Sequence, residues 1–381
     1  MKGGHKFIHE CSEACSHKME SLQQISKPFR KTEISSFVSR YIELDHHADD
    51  FVLSAMHDLF SGIQYFVKYA KKNSTCTTLY CPITKSSHIS FIGYCPHCSS
   101  LESHDVWLPN KNERNAIKKN KPQSDEIGTI CSEISLELLM LILKEEIEMF
   151  NITDRVHDVD AIIKYNHMIS LWEIKSSPMF LPSFEIDNLT ESTKHIIGDA
   201  NWSEGSMKMR VPGTKSTAEI SFSHESSDLQ LESFQLRCIK AMEKDNFQFA
   251  KDFVQQWIRN YSEFISGSHS NLKFLRAGGS AKTDDSKNQP GINRTDDLKK
   301  ASYQLLKYTG HYKALCSKGN IYGGIITNLG PIASRDPYFK GIYDLKIVQG
   351  HENSYLCDAI LSLDSPVAHL YNPDLRCIMD R

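Results

Sequence analysis

The chain of 381 residues is 40% hydrophobic and 24% charged and carries a formal net charge of -3. Its length predicts two or three domains, and its composition is that of a globular protein without an apolar run near the roughly 20 residues that cross a membrane. The slightly acidic balance excludes binding of polyanions through overall charge, so contacts with phosphate would fall to the local basic clusters at 68–72, 110–122 and 299–313.

Residues 1–72 are predicted to form an N-terminal helical region. The segment 1–20 lacks the apolar stretch and the small-residue cleavage site of a signal peptide, so a cytoplasmic protein is expected. Between Ser35 and Ala70, apolar residues recur at helical spacing and indicate two helices. The HHADD run at 46–50 is expected to be a solvated face, because adjacent residues of a helix point in different directions.

Residues 73–108 contain four cysteines at metal-ligand spacing and are predicted to be a zinc-binding module. Cys76 and Cys81 enclose four residues, and Cys95 and Cys98 enclose two. Two such pairs close around one tetrahedral Zn²⁺, and because the protein supplies every ligand, the zinc is expected to be structural. In a reducing compartment the other cysteines are expected to be thiols, since an odd total of 11 fits poorly with a complete set of disulfides. Three histidines of the region are alternative ligands: His88, His97 and His104.

The following segment supplies the first elements of the predicted core. A helix is predicted at about 125–149, where Ser124 can cap the first turn and one face is strongly apolar. Two strands are predicted at 158–165 and 168–176, joined by a short turn as in a β-hairpin. A long insertion at 181–294 then separates this hairpin from the remaining core elements.

The insertion and the segment after it contain further predicted elements. One amphipathic helix is predicted at 231–264 within the insertion. A helix is then predicted at 297–315, with Asp296 or Asp297 as its N-cap, followed by a strand at 320–329. The order helix, hairpin, insertion, helix, strand predicts an α/β fold.

Three charged residues on the predicted hairpin are the strongest candidates for chemistry. Glu173 and Lys175 are two residues apart on a strand and share a face, and the antiparallel partner brings Asp160 close to them. Two neighbouring carboxylates repel each other unless a hard cation such as Mg²⁺ lies between them. Such an ion lowers the pKa of a bound water and offsets charge on a phosphate, while the lysine orients the water or neutralises the transition state. A surface salt bridge is the alternative interpretation, and Asp158 competes with Asp160 for the metal.

The DAII and EIK runs that hold these charges resemble the motif of the PD-(D/E)xK nuclease superfamily, with Val159 in place of the proline of the signature. The resemblance implies a restriction-endonuclease-like core, a mixed sheet flanked by helices. Its elements would be an acidic helix, a three-stranded meander, a second helix and a further strand. This core would comprise 122–180 and 295–350, followed by a C-terminal extension at 351–381.

The resemblance also implies roles for residues on the two core helices. An acid of the first core helix commonly joins the metal site in this family, which suggests Glu133 or, one turn later, Glu137. Gln304 and Tyr308 lie four residues apart, on one face of the predicted second helix. They resemble the QxxxY element that some branches of the family place near the active site.

The function that the resemblance implies is Mg²⁺-dependent hydrolysis of double-stranded DNA, with Asp160 and Glu173 as metal ligands and Lys175 activating water. A chain of this size without helicase or ATPase motifs most resembles a type II restriction endonuclease. Its insertion at 181–294 would read DNA, and two copies would form a homodimer that cuts both strands. Two alternatives stay open: a repair or antiviral-defence nuclease of the same fold with loose specificity, and a non-catalytic zinc-containing DNA-binding protein. No association with a membrane is expected.

Overall fold

The structure of the chain is a computed structural model that describes residues 26–44, 51–72, 78–81, 86–89, 124–152, 159–166, 168–186, 205–222, 231–266, 290–293, 295–315, 321–332, 341, 345–349 and 352–380. In chain order its elements are β1 (Ser26–Pro28), α1 (Glu33–Leu44), α2 (Val52–Lys72), β2 (Thr78–Cys81), β3 (Ser86–Ile89), α3 (Ser124–Leu139), β4 (Glu148–Ile152), β5 (Ala161–Tyr165), β6 (Met168–Ile174), β7 (Ser183–Ile186), β8 (Gly205–Arg210), β9 (Thr217–Phe222), α4 (Leu231–Lys244), α5 (Gln248–Ser266), α6 (Thr295–Leu315), β10 (Ile321–Thr327), β11 (Lys346–Gln349), β12 (Glu352–Tyr355), β13 (Ala359–Ser362), β14 (His369–Leu370) and a 3₁₀ helix (Pro373–Ile378). None of the helices in these ranges combines the length and the apolar composition needed to cross a membrane.

The chain divides into two units, each assembled from segments that are distant in sequence. The first unit comprises 1–36, 135–177 and 289–381. The second unit comprises 37–134 and 178–288. The chain therefore alternates between the two units along its length.

A mixed sheet of seven strands, flanked by helices, is the centre of the first unit. Its strand order is β1-β4-β5-β6-β10-β13-β14. The strands β4, β5 and β6 form an antiparallel meander, whereas β10 runs parallel to β6 and β13 runs parallel to β10. Neighbouring parallel strands need a crossover connection, and α6 precedes β10 in that position. The α/β class predicted from the order of elements is confirmed.

The strand β10 is buried along its whole length, and α6 packs against it. Its sequence IYGGIIT is a continuous apolar run, which is typical of a central parallel strand. A Cβ atom on Gly323 would lie 2.2 Å from Oγ1 of Thr309, so only glycine lets α6 approach the strand this closely. The apolar cluster at this contact includes Leu298, Ala301, Leu305, Ile325 and Ile360.

The described part of the second unit contains the helices α2, α4 and α5 and the antiparallel sheet β7-β8-β9. Three aromatic rings bring α2, β7 and α4 together: the Phe66 centroid lies 4.4 Å from that of Phe184 and 5.2 Å from that of Phe234. Buried and outward residues alternate along β8 and β9, as expected for strands with one face on a core. The buried residues of these strands are Met207, Met209, Ala218 and Ile220.

The buried carboxylate of Asp58 connects three segments of the second unit. Its Oδ2 accepts hydrogen bonds from the N–H groups of Met179 and Phe180, at 2.7 and 2.9 Å, and from Nε1 of Trp257 at 2.7 Å. Its Oδ1 lies 3.0 Å from Nδ1 of His57. Burial by itself lowers the pKa of His57, but hydrogen bonds, first that to Asp58, raise this pKa to about 9. A His57 ring that is protonated, as this raised pKa favours, would pair with Asp58 inside the core.

The helix predicted at 125–149 is shorter than expected. It ends at Leu139, and β4 begins at Glu148. The residues just after its end form i→i−3 hydrogen bonds, a tighter turn than the α-helix. The Lys144 N–H then donates to the carbonyl of Ile378 at 3.1 Å. The apolar run continues out of the helix because its backbone finds partners in the C-terminal segment.

Three other predictions on the organisation of the chain need correction. The helix predicted at 231–264 consists of α4 and α5, because Asn246 and Phe247 adopt positive φ angles of 56° and 62° between them. The three-stranded sheet β7-β8-β9 was not predicted within the insertion. The segment predicted as a C-terminal extension contributes β13 and β14 to the seven-stranded sheet.

Most other predicted elements of the described chain are confirmed: α1 and α2 in the N-terminal region, the β5–β6 hairpin, α6 and β10. The predicted zinc module lies largely outside the described residues. Only the backbone of its antiparallel strands is described: β2, which ends at Cys81, and β3, which begins at Ser86. The predicted residues that fall outside the described part of the chain are Cys76, Cys95, Cys98, Asp158 and 46–50.

Candidate active site at the end of the β5–β6 hairpin

The hairpin places Asp160 directly beside the end of β6. Its register pairs Ala161 with Trp172, so Asp160 falls opposite Glu173. The Asp160 N–H donates to the carbonyl of Trp172 at 3.0 Å, and its Oδ2 accepts from the N–H of Ile174 at 2.7 Å. The carboxylate thus continues the pattern of hydrogen bonds between the strands, which fixes its orientation.

Glu173 and Lys175 meet beside this carboxylate, as the period-two spacing of a strand predicts. The Lys175 Nζ donates to Oε1 of Glu173 and lies 3.4 Å from the carbonyl oxygen of Ile174. The Glu173 side chain is 7% exposed and that of Lys175 20% exposed, so solvent reaches the cluster from the lysine end. The Lys175 N–H donates to the carbonyl of Ile326 at 2.9 Å, which holds this residue against β10.

The electrostatics of the cluster follow from its burial. Burial and then the charge of Asp160 raise the pKa of Glu173 to about 8, although the Lys175 ammonium acts in the opposite direction. Burial opposes the charge on Lys175, but the nearby carboxylates, first Glu173 and then Asp160, raise its pKa. Two acids therefore share one ammonium in a poorly hydrated site, and a further cation would relieve the repulsion between them.

A third carboxylate, Asp297, acts on this cluster, although the sequence predicts for it only a role as the N-cap of a helix. Asp297 also contributes to the raised pKa of Lys175. It lies in the first turn of α6, which is followed after a short connection by β10, so this turn lies toward the carboxyl ends of β10 and β6. Its spacing of seven residues before Gln304, two helical turns, was a signal that could have identified it.

The segment after Lys175 is held by a polar network that the sequence did not reveal. Oγ of Ser176 lies 2.7 Å from Oγ of Ser135 and accepts from the N–H of Asn328 at 3.0 Å. The Asn328 side chain in turn accepts from the N–H of Ser177 at 3.1 Å and donates to its carbonyl at 2.9 Å. These bonds join the end of β6 to the end of β10, and they restrict the backbone that carries the lysine.

The two acids proposed for the first core helix lie in different places. The carboxylate of Glu137 is buried and caps α1: it accepts from the N–H groups of Thr32 and Ser35, at 2.9 and 3.0 Å, and from the Thr32 hydroxyl. All three donors bind Oε1 of Glu137, so the structure gives this carboxylate a capping role at the start of α1, and its role as a metal ligand stays a prediction. Glu133 is an exposed residue of the second unit, and its role stays a prediction.

The structure places Gln304 and Tyr308 on α6, one turn apart and half-buried. Tyr308 packs against the apolar cluster that includes Phe150 and Tyr312, and the Lys307 ammonium lies 5.0 Å from the centroid of its ring. Tyr308 therefore has a packing role in the core, and its role near the active site stays a prediction.

The oxygen atoms of Asp160 and Glu173 suit Mg²⁺ better than a metal that is bound by four or more protein ligands. Among the described residues, no group of three or more His, Cys, Asp or Glu side chains is arranged to hold a metal ion. Magnesium, however, is commonly held by one or two carboxylates while it keeps several waters and binds substrate phosphate. Asp160 and Glu173 supply such a pair, with the carbonyl oxygen of Ile174 beside them.

Comparisons of the chain with protein-family models, with curated proteins and with solved structures found no match. The interpretation of the site therefore depends on its own geometry and on the resemblance of its motif.

Proposed function

We propose that the chain is a Mg²⁺-dependent endonuclease that hydrolyses phosphodiester bonds of double-stranded DNA, and more specifically a type II restriction endonuclease. The observation that carries the proposal is the meeting of Asp160, Glu173 and Lys175 in a largely buried cluster at the end of the hairpin. A surface salt bridge would not need a second carboxylate beside the first, nor burial that raises the pKa of Glu173.

The order of elements around the cluster supports a restriction-endonuclease-like core. The meander β4-β5-β6 follows a helix, and α6 leads to β10, which runs parallel to β6. This is the sequence of elements that the resemblance implies. The extra parallel strand β13 extends the sheet beyond that minimal core.

The chain's own residues would divide the chemistry between them. Asp160 and Glu173 would hold the Mg²⁺, which when bound lowers the pKa of water and offsets charge on the phosphate. Lys175 places an ammonium within the same cluster, where it orients the attacking water and stabilises negative charge that develops on the phosphate. The backbone bond from Lys175 to Ile326 limits the movement of this group, and orientation of this kind lowers the barrier.

Several finer parts of the proposal come from the sequence. A structural Zn²⁺ would be held by Cys76, Cys81, Cys95 and Cys98, the insertion at 181–294 would contact DNA, and a cytoplasmic homodimer would cut both strands. A repair or defence nuclease with loose specificity, and a zinc-containing DNA-binding protein without activity, are the competing functions.

Incubation of plasmid DNA with the protein and Mg²⁺ separates these functions. Discrete fragments support a restriction endonuclease, a smear of products supports the nuclease of loose specificity, and intact DNA that is nevertheless bound supports the binding protein. Sequencing the ends of the fragments would then give the recognition site.

The variants Glu173→Gln and Lys175→Ala are expected to lower the cleavage rate by about 100-fold or more, as loss of a group that stabilises charge in a transition state does. DNA binding without divalent metal should persist, because the phosphate contacts elsewhere are unchanged. A matched control exists in the same sheet, where Nζ of Lys164 lies 3.1 Å from Oε2 of Glu148 across β4 and β5. Glu148→Gln and Lys164→Ala should cut normally, and normal cutting by the Glu173 or Lys175 variant would refute the assignment.

A further inference from the structure

A groove on the second unit lies between α4 and β9, and its eight lining residues include three basic and two hydroxyl side chains beside Leu236 and Ala241. Its volume is about 450 Å³. The helix contributes Arg237, Lys240 and Lys244 to it, and the strand contributes Glu219 and Ser221. This groove belongs entirely to the second unit and contains none of the residues of the candidate active site.

The three cations lie along one face of α4. Their spacings of three and four residues place them on adjacent turns, so with a rise of 1.5 Å per residue they extend along about 10 Å of the helix. The opposite face is buried in the core through Cys238 and Met242, which fixes the direction of the basic face. The lining is therefore a row of positive charge on a rigid element.

Two acidic residues, Glu219 and Glu243, lie near the row of cations. Glu219 lies directly opposite Lys208 in the register of β8 and β9, where charges of opposite sign stabilise each other. Glu243, the neighbour of Lys244 on α4, forms an ion pair with Arg40. With three cations and one carboxylate among its lining residues, the groove has a net positive charge.

Arg237 also connects the two walls of the groove. Its Nη1 donates to the carbonyl of Ser221 at 2.9 Å, which holds the guanidinium across the groove. A guanidinium carries five N–H donors in a planar fork, a geometry that matches phosphate oxygens. The hydroxyls of Ser221 and Ser233 add donors of the kind that contact phosphates in protein–DNA complexes.

We propose that this groove binds the phosphate backbone of a duplex DNA strand, a proposal that rests on DNA being the substrate of the candidate active site. Phosphates of one strand follow each other at about 3.4 Å along the duplex axis, so a row of about 10 Å faces roughly three of them. The lining contains no aromatic side chain on which a base could stack. Contacts of these cations with phosphates would supply affinity that does not depend on the base sequence.

The test uses the full-length chain carrying Lys175→Ala, a labelled duplex and a buffer with EDTA, so that binding is measured without cleavage. The triple variant Arg237→Gln, Lys240→Gln and Lys244→Gln is compared with a control in which three cations outside the groove lining are replaced. The control substitutions are Lys215→Gln, Lys251→Gln and Arg259→Gln, which change the net charge equally. Circular dichroism melts establish that both variants are folded.

The groove variant is expected to bind at least tenfold more weakly than the control. The slope of log affinity against log salt concentration should also fall by about two to three, since each phosphate contact contributes about 0.9. Equal affinities and equal slopes in the two variants would overturn the proposal. Displacement of the duplex by millimolar inorganic phosphate at constant ionic strength would also overturn it, because it would indicate a site for a single phosphate.

Failure of the groove proposal can be distinguished from failure of the proposed nuclease activity. A wild-type chain that binds DNA through the groove and never cuts it would refute the proposed activity and leave the groove in place. A chain that cuts DNA while the groove variant binds as tightly as the control would do the opposite.

Discussion

Glu137 and Glu173 are both buried carboxylates of the first unit, but their neighbours give them different chemistry. Glu137 is surrounded by donors at the start of α1, and hydrogen bonds from N–H groups stabilise its charge where it lies. Glu173 lies beside a second acid, and burial and then the charge of Asp160 raise its pKa although Lys175 acts in the opposite direction. The first carboxylate has a structural role in the fold, whereas the second is the one for which we propose a cation.

Truncation of Glu137 is therefore expected to lower stability and not to act through metal binding. Glu137→Ala leaves the N–H groups of Thr32 and Ser35 without their acceptor, and should lower the free energy of unfolding by roughly 2–3 kcal/mol. Urea unfolding measures this change. Glu133→Ala, on the same helix but exposed, is the control and should change stability by less than about 0.5 kcal/mol. Equal effects of the two substitutions would contradict the capping role.

The sequence predicts the contacts of the hairpin residues but not those of Glu137, and the reason is physical. Asp160, Glu173 and Lys175 are close in sequence, and the alternation of a hairpin is enough to bring them together. Glu137 finds its partner Thr32 at a separation of 105 residues, which no local pattern encodes. A local motif thus predicts a local site, while a long-range contact that no local pattern encodes gives Glu137 its capping role.

At the scale of elements, α6 connects the candidate site to the rest of the sheet. Its first turn carries Asp297, which influences Lys175. Near its other end, the Lys313 ammonium is buried and donates to Asp358 and to the carbonyl of Tyr355. Lys313 was included in a basic cluster that could contact phosphate, but this ion pair occupies it in the core. The helix is therefore fixed by buried charge at one end and contributes charge to the site at the other.

The close contact of α6 with β10 gives a test of how tightly the helix is placed. Gly323→Ala would bring a methyl group against Thr309, and should lower the free energy of unfolding by about 1–3 kcal/mol. Thr309→Ala removes the atoms nearest to that methyl, so Gly323→Ala should cost less in this background. A double-mutant cycle measured by urea unfolding gives the coupling between the two positions. Additive effects would show that the helix moves away instead of packing as described.

The prediction of elements was wrong in segments whose backbone bonds to distant residues and in segments of polar composition. The strands β8 and β9, with sequences GSMKMR and TAEISF, alternate between buried and outward residues, but they lie in a segment rich in serine and threonine, a composition that indicates loop. The break between α4 and α5 depends on positive φ at Asn246 and Phe247, and the second of these is a residue that rarely adopts it. The amphipathic pattern continues across this break, so the sequence indicates one helix where there are two.

At the scale of the whole molecule, the alternation of the chain between two units is what the sequence could not predict. Asp58 accepts hydrogen bonds from residues 121, 122 and 199 positions away. Such contacts define the second unit, and they also make its stability depend on the charge state of one buried pair.

The His57–Asp58 pair predicts how this unit responds to pH. The pKa of His57 is about 9 in the folded chain, whereas the ordinary pKa of a histidine side chain, expected once the chain unfolds, is 6.5. The folded state therefore binds this proton more tightly, so the contribution is fully present below pH 6.5 and is lost as pH rises through 9. At about 1.4 kcal/mol per pKa unit, roughly 3 kcal/mol would be lost over this range.

Urea unfolding at several pH values compares the wild type with His57→Gln. The variant should be less stable at pH 6, because Asp58 loses its charged partner, and the difference should shrink toward pH 9.5 as the wild type loses the same ion pair. His311→Gln, which replaces an exposed histidine of α6, is the control and should follow the wild type at every pH. A difference between wild type and His57→Gln that stays constant from pH 6 to 9.5 would mean that His57 is neutral in the fold. The Asp58 carboxylate would then be held by hydrogen bonds, among them those from Met179, Phe180 and Trp257, without a charged partner in His57.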